Sequence, residues 1–160
     1  MFYRGIDAQD IARQVAGLLN TYNGLARNRH AIDILNSQTS YVVETHGKLL
    51  VGAVGIRKLS FHMSEIKHLA VHEKWRRKNV GTFLLKRAIA LVETPLVYAT
   101  IREDNLPSIR IFESMGFSRV GGYNGKGHNV LIFTREIDRW RMDSPTTMPD
   151  WKSASYTETD

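Results

Sequence analysis

His68-Leu69-Ala70-Val71-His72-Glu73-Lys74-Trp75-Arg76-Arg77-Lys78-Asn79-Val80-Gly81-Thr82 decides how the chain is built. An apolar strand end runs into a basic loop, and the loop opens the clearest helix in the sequence, Val80 to Val92. There Val80, Leu84, Ala88 and Leu91 form one stripe, and Leu85, Ile89 and Val92 widen it, an arc that fits a helix packed on a sheet. Such a strand–loop–helix has the makings of an anion site. The first N–H groups of a helix have no partner inside it, the helix dipole places partial positive charge there, and phosphate groups bind such ends. Gly81 lets a ligand approach the backbone, Asn79 tolerates a left-handed conformation, and Arg76, Arg77 and Lys78 add full charges. Short glycine-containing loops are common, so an ordinary solvated helix start is the competing interpretation of the loop alone.

Working outward, Asp7 caps a helix whose Ile11, Val15, Leu18 and Leu19 share one face. A shorter helix covers Ala31 to Leu35. Tyr41-Val42-Val43 and Leu49-Leu50-Val51 flank His46-Gly47 as a hairpin, and Gly52 and Gly55 mark a bulge in its second strand. Glu65 to Val71 and Leu96 to Ile101 read as strands. Ser108 to Met115 is a short helix that stops at Gly116, a natural C-cap. Val120, Val130, Ile132 and Phe133 belong to closing strands. Gly121-Gly122-Tyr123-Asn124-Gly125-Lys126-Gly127 reads either as a flexible stretch able to close over a substrate or as a long hairpin turn. The order predicts an α/β (α+β) fold, a mixed sheet with helices on its faces. Residues 1–138 form one domain, and 139–160 a polar tail, flexible or docked, in which Trp140 and Trp151 offer contacts to the domain or to a second copy.

Composition narrows the class. The chain has 160 residues, 42% hydrophobic and 24% charged, and no cysteine. That is an ordinary globular balance, and it excludes disulfides, thiolate metal sites and cysteine nucleophiles. His62, His72 and His128 show no metal-ligand spacing. No apolar run is long enough to span a bilayer, and the first residues lack a secretory pattern, so the expected compartment is the cytoplasm, without a membrane partner. The net charge of +6 draws anions without naming them.

A second segment adds a pattern: Asn105-Leu106-Pro107-Ser108-Ile109-Arg110-Ile111-Phe112-Glu113-Ser114-Met115-Gly116-Phe117. Together the two segments resemble the GNAT superfamily of acetyltransferases. The family's cofactor motif, Arg or Gln, two residues, Gly, one residue, then Gly or Ala, reads here Arg76-Arg77-Lys78-Asn79-Val80-Gly81. Its later motif reads Asn105, Ser108, Phe112 and Gly116-Phe117. The resemblance spans roughly Tyr41 to Arg135. It implies a GNAT-like, centrally splayed sheet with helices on both faces, and acetyl-CoA (coenzyme A) as cofactor. The cofactor loop would be Arg76 to Thr82, with the pyrophosphate on Arg77, Lys78, Asn79, Val80, Gly81 and Thr82. The pantetheine would lie between splayed parallel strands, 67–71 and 97–101, along Leu69, Ala70 and Val71, with the acetyl carbonyl near the N–H of Leu69 or Ala70. Asn105 would bond the pantetheine, with Ser108 close by and Phe112 where many members carry a proton-donating tyrosine. Phe112 cannot donate, which leaves Tyr98, Tyr123 or water for that role, or no dedicated acid.

An attacking amine must be neutral, and a lysine-like amine with a pKa of about 10.4 is mostly protonated near neutral pH. The site must lower that value or supply a base. Glu65 stands where the family's histone acetyltransferases place a glutamate base; a solvent-facing strand residue is the plain alternative. His68 is the second candidate. It alternates with Leu69, so one of the two faces the cleft. The implied function is acetyl transfer to an amine of a small molecule or a protein by direct attack in a ternary complex. Arg27, Arg29 and Arg57 would attract an acidic acceptor. The rival readings are a nucleic-acid binder or nucleobase acylator, suggested by Trp75-Arg76-Arg77-Lys78, and a non-catalytic acyl-CoA sensor, suggested by Phe112. A homodimer built through the tail is a further expectation.

Overall fold

The computed structural model describes residues 7–24 and 27–140. Helix α1 spans Ala8–Tyr22, and the Asp7 carboxylate caps it by accepting from the Asp10 N–H at 2.7 Å. Val15, Leu18 and Leu19 of the expected apolar face are buried, joined by Ala12 and Ala16, and Ile11 is partly buried at its edge. After α2 (Ala31–Leu35) come strands β1 (Ser40–His46), β2 (Leu49–Lys58) and β3 (Met63–Val71). The anion-loop segment leads into α3 (Val80–Leu91), followed by β4 (Leu96–Arg102), α4 (Leu106–Ser114), β5 (Ser118–Asn124) and β6 (Asn129–Glu136).

The six strands make one sheet in the order β1-β2-β3-β4-β6-β5. Every neighbouring pair is antiparallel except β3 and β4. Their parallel pairing is short: Met63 with Leu96, Ser64 with Val97 and Glu65 with Tyr98. Beyond Glu65 and Tyr98 the two strands part, so the middle of the sheet opens into a V. The expected splay therefore begins one residue after Tyr98.

Two apolar layers hold the sheet. Leu84, Leu85, Ala88 and Ile89 of α3 pack with Phe112, Phe117 and Phe133 over Ile66, Val97, Ala99 and Ile101. Val15, Leu18 and Leu19 of α1 pack over Val43, Ala53 and Ala70 on the opposite face. Each buried valine, leucine, isoleucine or phenylalanine among them stabilises the fold by about 1.5–3 kcal/mol relative to exposure. Gly52 lies where α3 crosses β2: a Cβ there would sit 2.7 Å from Leu84 Cδ1 and 3.3 Å from the Ala70 carbonyl.

β2 carries the expected bulge against β1, where Glu44 pairs with Gly52 but Thr45 with Leu50, and β3 carries a second one that the sequence did not show. Ala53 pairs with Ala70 but Gly55 with Lys67, so β3 carries one extra residue. His68 takes it up, with φ of 56°. The insertion reverses the alternation of side chains. Ile66 faces α3 before it, and Leu69 and Val71 face α3 after it, while Ala70 turns to α1.

The glycine-rich stretch, which reads as either a closing segment or a long hairpin turn, is mostly strand. Gly121, Gly122, Tyr123 and Asn124 belong to β5, paired with β6. The turn is confined to Gly125 through His128, closed by Gly125 N–H to the His128 carbonyl at 2.8 Å. It is a hairpin, not a long lid. Gly122 suits the strand because a Cβ there would meet the Val130 carbonyl at 2.8 Å. At the end of the domain, Arg139 Nη1 donates to the Ala90 carbonyl at 3.0 Å, so residue 139 still rests on α3. The side chain of Trp140 and all of 141–160, Trp151 included, lie outside the described residues.

Candidate active site

The loop between β3 and α3 is shaped by two left-handed residues, Arg77 at φ 58° and Asn79 at φ 61°. Asparagine enters this region readily; an arginine there costs about 1–2 kcal/mol. Such turns aim successive N–H groups into a common concavity that suits an anion. The N–H groups of Arg77, Lys78 and Asn79 meet no protein acceptor among the described residues. Phe83 N–H bonds to the Asn79 carbonyl at 2.9 Å, so Asn79 is the N-cap and the free donors of Val80 and Gly81 follow it.

The three cations of the loop behave differently. Arg76 turns back: its Nε donates to the Val71 carbonyl at 3.3 Å and its guanidinium lies 4.8 Å from the Tyr22 ring centre. The Lys78 ammonium rests 5.0 Å from the Trp75 ring centre. Arg77 is exposed, with its charge in solvent.

From this loop a groove runs down between β3 and β4. His72 N–H bonds to the Val51 carbonyl at 2.9 Å. In an antiparallel ladder neighbouring residues alternate in direction. Leu69 and Val71 therefore direct backbone groups away from β2, into the V. On the other wall, Asn105 Oδ1 accepts from the Ser108 N–H at 3.3 Å and caps α4. Ser108 is half-buried. Phe112 is 3% exposed and meets Phe117 edge-on at 4.9 Å, so it supports the wall from the core.

At the apex, where the strands part, lies a polar cluster. Glu65 is 6% exposed. Its Oε2 accepts from Arg57 Nη2 at 2.8 Å and Lys67 Nζ at 3.4 Å. Burial and the nearby Glu65 charge raise the pKa of Tyr98, which pairs with Glu65 across the strands. Since Ile66 faces α3, Glu65, Lys67 and Tyr98 all face the α1 side. Tyr123, by contrast, lies exposed on β5, an edge strand two places beyond β4; the structure does not bring it to the cluster.

His68 also turns to the α1 side, where Tyr41 Oη lies 2.9 Å from its Nδ1. Burial, reinforced by the charges of Lys67, Arg29 and Arg57, holds its pKa down at about 4, from an ordinary 6.5. The ring is neutral at physiological pH and a weak proton acceptor. The unfolded chain binds a proton below pH 6.5 that the folded one refuses. Stability is therefore expected to fall as pH drops from about 6.5 toward 4, by on the order of 1–2 kcal/mol once solvent screening is allowed for. Chemical denaturation across that range should show the loss, and His68→Gln should flatten it. An equal slope in both proteins would contradict the assignment.

Beside His68 lies a cleft of about 180 Å³, lined by Arg29, Asp33, Tyr41, Arg57, Lys67 and His68 among others. The sequence pointed to Arg29 and Arg57 only by their charge. Lys67 escaped notice because nothing local marks it; it joins the site through the register of β2 and β3.

A sheet splayed at its centre, with an anion-binding loop at one end of the groove and a buried carboxylate at the other, defines a class of acyl-CoA-using proteins. A profile of the acetyltransferase (GNAT) family matches residues 13–117. The chain belongs to that family. Among curated relatives it is 29% identical over 111 residues to an uncharacterized protein of Mycobacterium leprae, covering 65% of this chain and 31% of that protein. It is 28% identical over 93 residues to the N-alpha-acetyltransferase RimI of Mycobacterium tuberculosis, covering 56% of this chain and 58% of the relative. The chain thus spans about a third to three-fifths of the length of these relatives. The yncA protein of Salmonella typhimurium, solved with its cofactor acetyl-CoA, shares the fold at a TM-score of 0.70 and 18% identity, over 92% of this chain and 97% of that one.

Proposed function

We propose that the chain is an acetyl-CoA-dependent N-acetyltransferase acting on an amine, with donor and acceptor bound together. The observation that carries the reading is the V between β3 and β4, which opens after Glu65 and Tyr98 and leads to unpartnered loop donors. The residues present fit the donor substrate: N–H groups from Arg77 to Gly81 would hold its diphosphate, and the strand edge at Leu69 and Val71, where the Val71 carbonyl also accepts from Arg76 Nε, its amide-bearing arm. Asn105 Nδ2 remains available beside that arm, since only Oδ1 is used in capping. Acetyl-CoA supplies an acetyl group activated as a thioester.

The protein's own part is proton management and placement. Glu65 accepts the proton that the acceptor's ammonium must shed, directly or through water. Arg57 and Lys67 fix the carboxylate in place and, as positive neighbours, disfavour the charged form of a bound amine. The backbone N–H of Leu69, which faces the groove while that of Ala70 faces β2, stabilises the developing oxyanion, a contribution of a few kcal/mol. With Phe112 in the core, Tyr98 or water protonates the departing thiolate. The M. tuberculosis relative carries the name N-alpha-acetyltransferase, which supports an amine acceptor, small or protein-borne. The absence of a hydroxyl on Phe112 favours one second reading, a non-catalytic acyl-CoA binder.

The test is acetyl-CoA binding followed by thiol release over an amine panel. At 100 times its Kd, acetyl-CoA should stabilise the fold by about 2.7 kcal/mol. Arg77→Glu with Lys78→Glu should weaken its binding roughly 10- to 100-fold. No stabilisation by acetyl-CoA ends the proposal; binding without thiol release across the panel selects the second reading.

A further inference from the structure

The cleft beside His68 has an unusual charge balance. Three cationic side chains line it, Arg29, Arg57 and Lys67. Arg57 and Lys67 share the single carboxylate of Glu65. Arg57 Nε is nevertheless buried without a hydrogen bond among the described residues. Asp33, on the rim, is already occupied: it accepts from the His30 N–H at 2.8 Å and lies 3.8 Å from Arg27. That N–H holds its carboxyl below the usual range. His68 is neutral and tied to Tyr41.

Arg29 is the telling member. Its backbone is clamped on both sides by one α1 side chain. Asn20 Oδ1 accepts from the Arg29 N–H at 2.7 Å, and Asn20 Nδ2 donates to the Arg29 carbonyl at 2.9 Å. Its guanidinium, close enough to act on Tyr41, His68 and the Asp33 carboxylate, makes no ion pair within 4 Å among the described residues. A long cationic side chain on a fixed backbone, facing two further cations that share one carboxylate, is poised for an anion. The fork of an arginine matches a carboxylate or phosphate edge.

We infer that the cleft binds an anionic group of the acceptor, so that the substrate is a small amine bearing its own carboxylate or phosphate, gripped by Arg29 with Arg57 and Lys67. The inference rests on the proposed acetyl transfer and names its acceptor class. The volume of about 180 Å³ falls below the 300 Å³ or so of sites for drug-sized ligands, which suits a small molecule. Position suits it as well. Lys67 and His68 line the cleft, and the next residue, Leu69, opens onto the groove. The anion and the reacting amine would then be separated by only a few atoms. The same cations that hold the anion also favour the neutral, nucleophilic amine.

The test compares β-alanine, phosphoethanolamine and ethanolamine, which carry the same primary amine on a two-carbon arm ending in a carboxylate, a phosphate and a hydroxyl. The KM of at least one acid should lie about 10-fold or more below that of ethanolamine. Arg29→Gln should raise the KM of that acid roughly 10- to 100-fold, with the KM for acetyl-CoA and ethanolamine unchanged, and Arg29→Lys should recover part of the loss. Whichever acid is favoured identifies the anion. Equal use of all three, preference for a neutral pentapeptide, or an Arg29→Gln effect shared by ethanolamine overturns the inference while leaving acetyl transfer intact. If no amine is acetylated, calorimetry with the same three compounds decides. Acid-specific binding that Arg29→Gln abolishes supports the anion site, and its absence overturns it. Failure of acetyl-CoA itself to bind counts against the functional reading alone.

Discussion

Glu65→Gln should lower acetyl transfer about 10²- to 10⁴-fold at saturating acetyl-CoA, the range over which a positioned general base contributes. Glutamine keeps the shape of the side chain and one acceptor oxygen but cannot take a proton at neutral pH. Acetyl-CoA affinity should stay within about twofold, because the donor's diphosphate lies at the far end of the groove, on the loop before α3. A structural effect is expected alongside. The carboxylate is buried between Arg57 and Lys67, and removing its charge leaves two cations facing one another. Both remain partly exposed, so screening limits the loss of stability to on the order of 1–3 kcal/mol. The two effects separate in the pH profile of kcat. Loss of a base removes the ascending limb, whereas loss of packing lowers the curve without reshaping it. Turnover and profile both unchanged in the variant would take Glu65 out of the mechanism.

Leu84→Ala should cost about 2–5 kcal/mol, the usual range for truncating a buried leucine. That is a large part of the 5–15 kcal/mol that holds a domain together. Leu84 is fully buried, and its Cδ1 occupies the space a Cβ on Gly52 would need. Gly52→Ala alone should cost about 1–3 kcal/mol through overpacking. It should also lift the start of α3 and weaken acetyl-CoA binding, because Val80, on the first turn, is the next atom group in the way at 3.1 Å. The double substitution should cost less than the two single costs added, by about 0.5–3 kcal/mol, since the alanine at 84 vacates the space that the one at 52 fills. Urea denaturation of the four proteins measures this coupling. Strict additivity would mean that α3 is not seated on Gly52.

What the sequence made legible was local. The apolar stripe of the helix from Val80, the cap at Asp7 and the glycine at 116 each act within a few residues and appear in the structure, except that Leu91, expected on the stripe, is 60% exposed at the helix end. Asn79 was read as able to turn left-handed, and it does, at φ 61°. What escaped was set by partners distant in the chain. Gly121 to Asn124 read either as a flexible closing segment or as part of a long hairpin turn because glycines loosen isolated segments, but pairing with β6 makes them a strand. Arg76 matched the first position of the cofactor motif, yet Tyr22, far off in sequence, draws it back along the strand. The cationic cleft is assembled from the segment after α1, from β2 and from β3, and no one of these announces it. The bulge expected on the glycine-bearing strand is there, between Leu50 and Gly52 against β1; the second, at a histidine of β3, escaped because an insertion is a property of a pair of strands and not of either composition.

That single inserted residue gives β3 a change of phase. Upstream of it the odd-numbered side chains look toward α1, and downstream the even-numbered ones do. Removing residue 68 itself would straighten the strand and leave Leu69 and Val71 on the α3 side and Ala70 on the α1 side, whereas losing or gaining one residue elsewhere in β3 would turn part of it over. Point substitutions preserve the phase; one-residue insertions and deletions away from 68 do not. The strand behaves as a keyed shaft whose one notch decides which length serves the donor and which the acceptor, and length is the kind of variation this segment will not absorb.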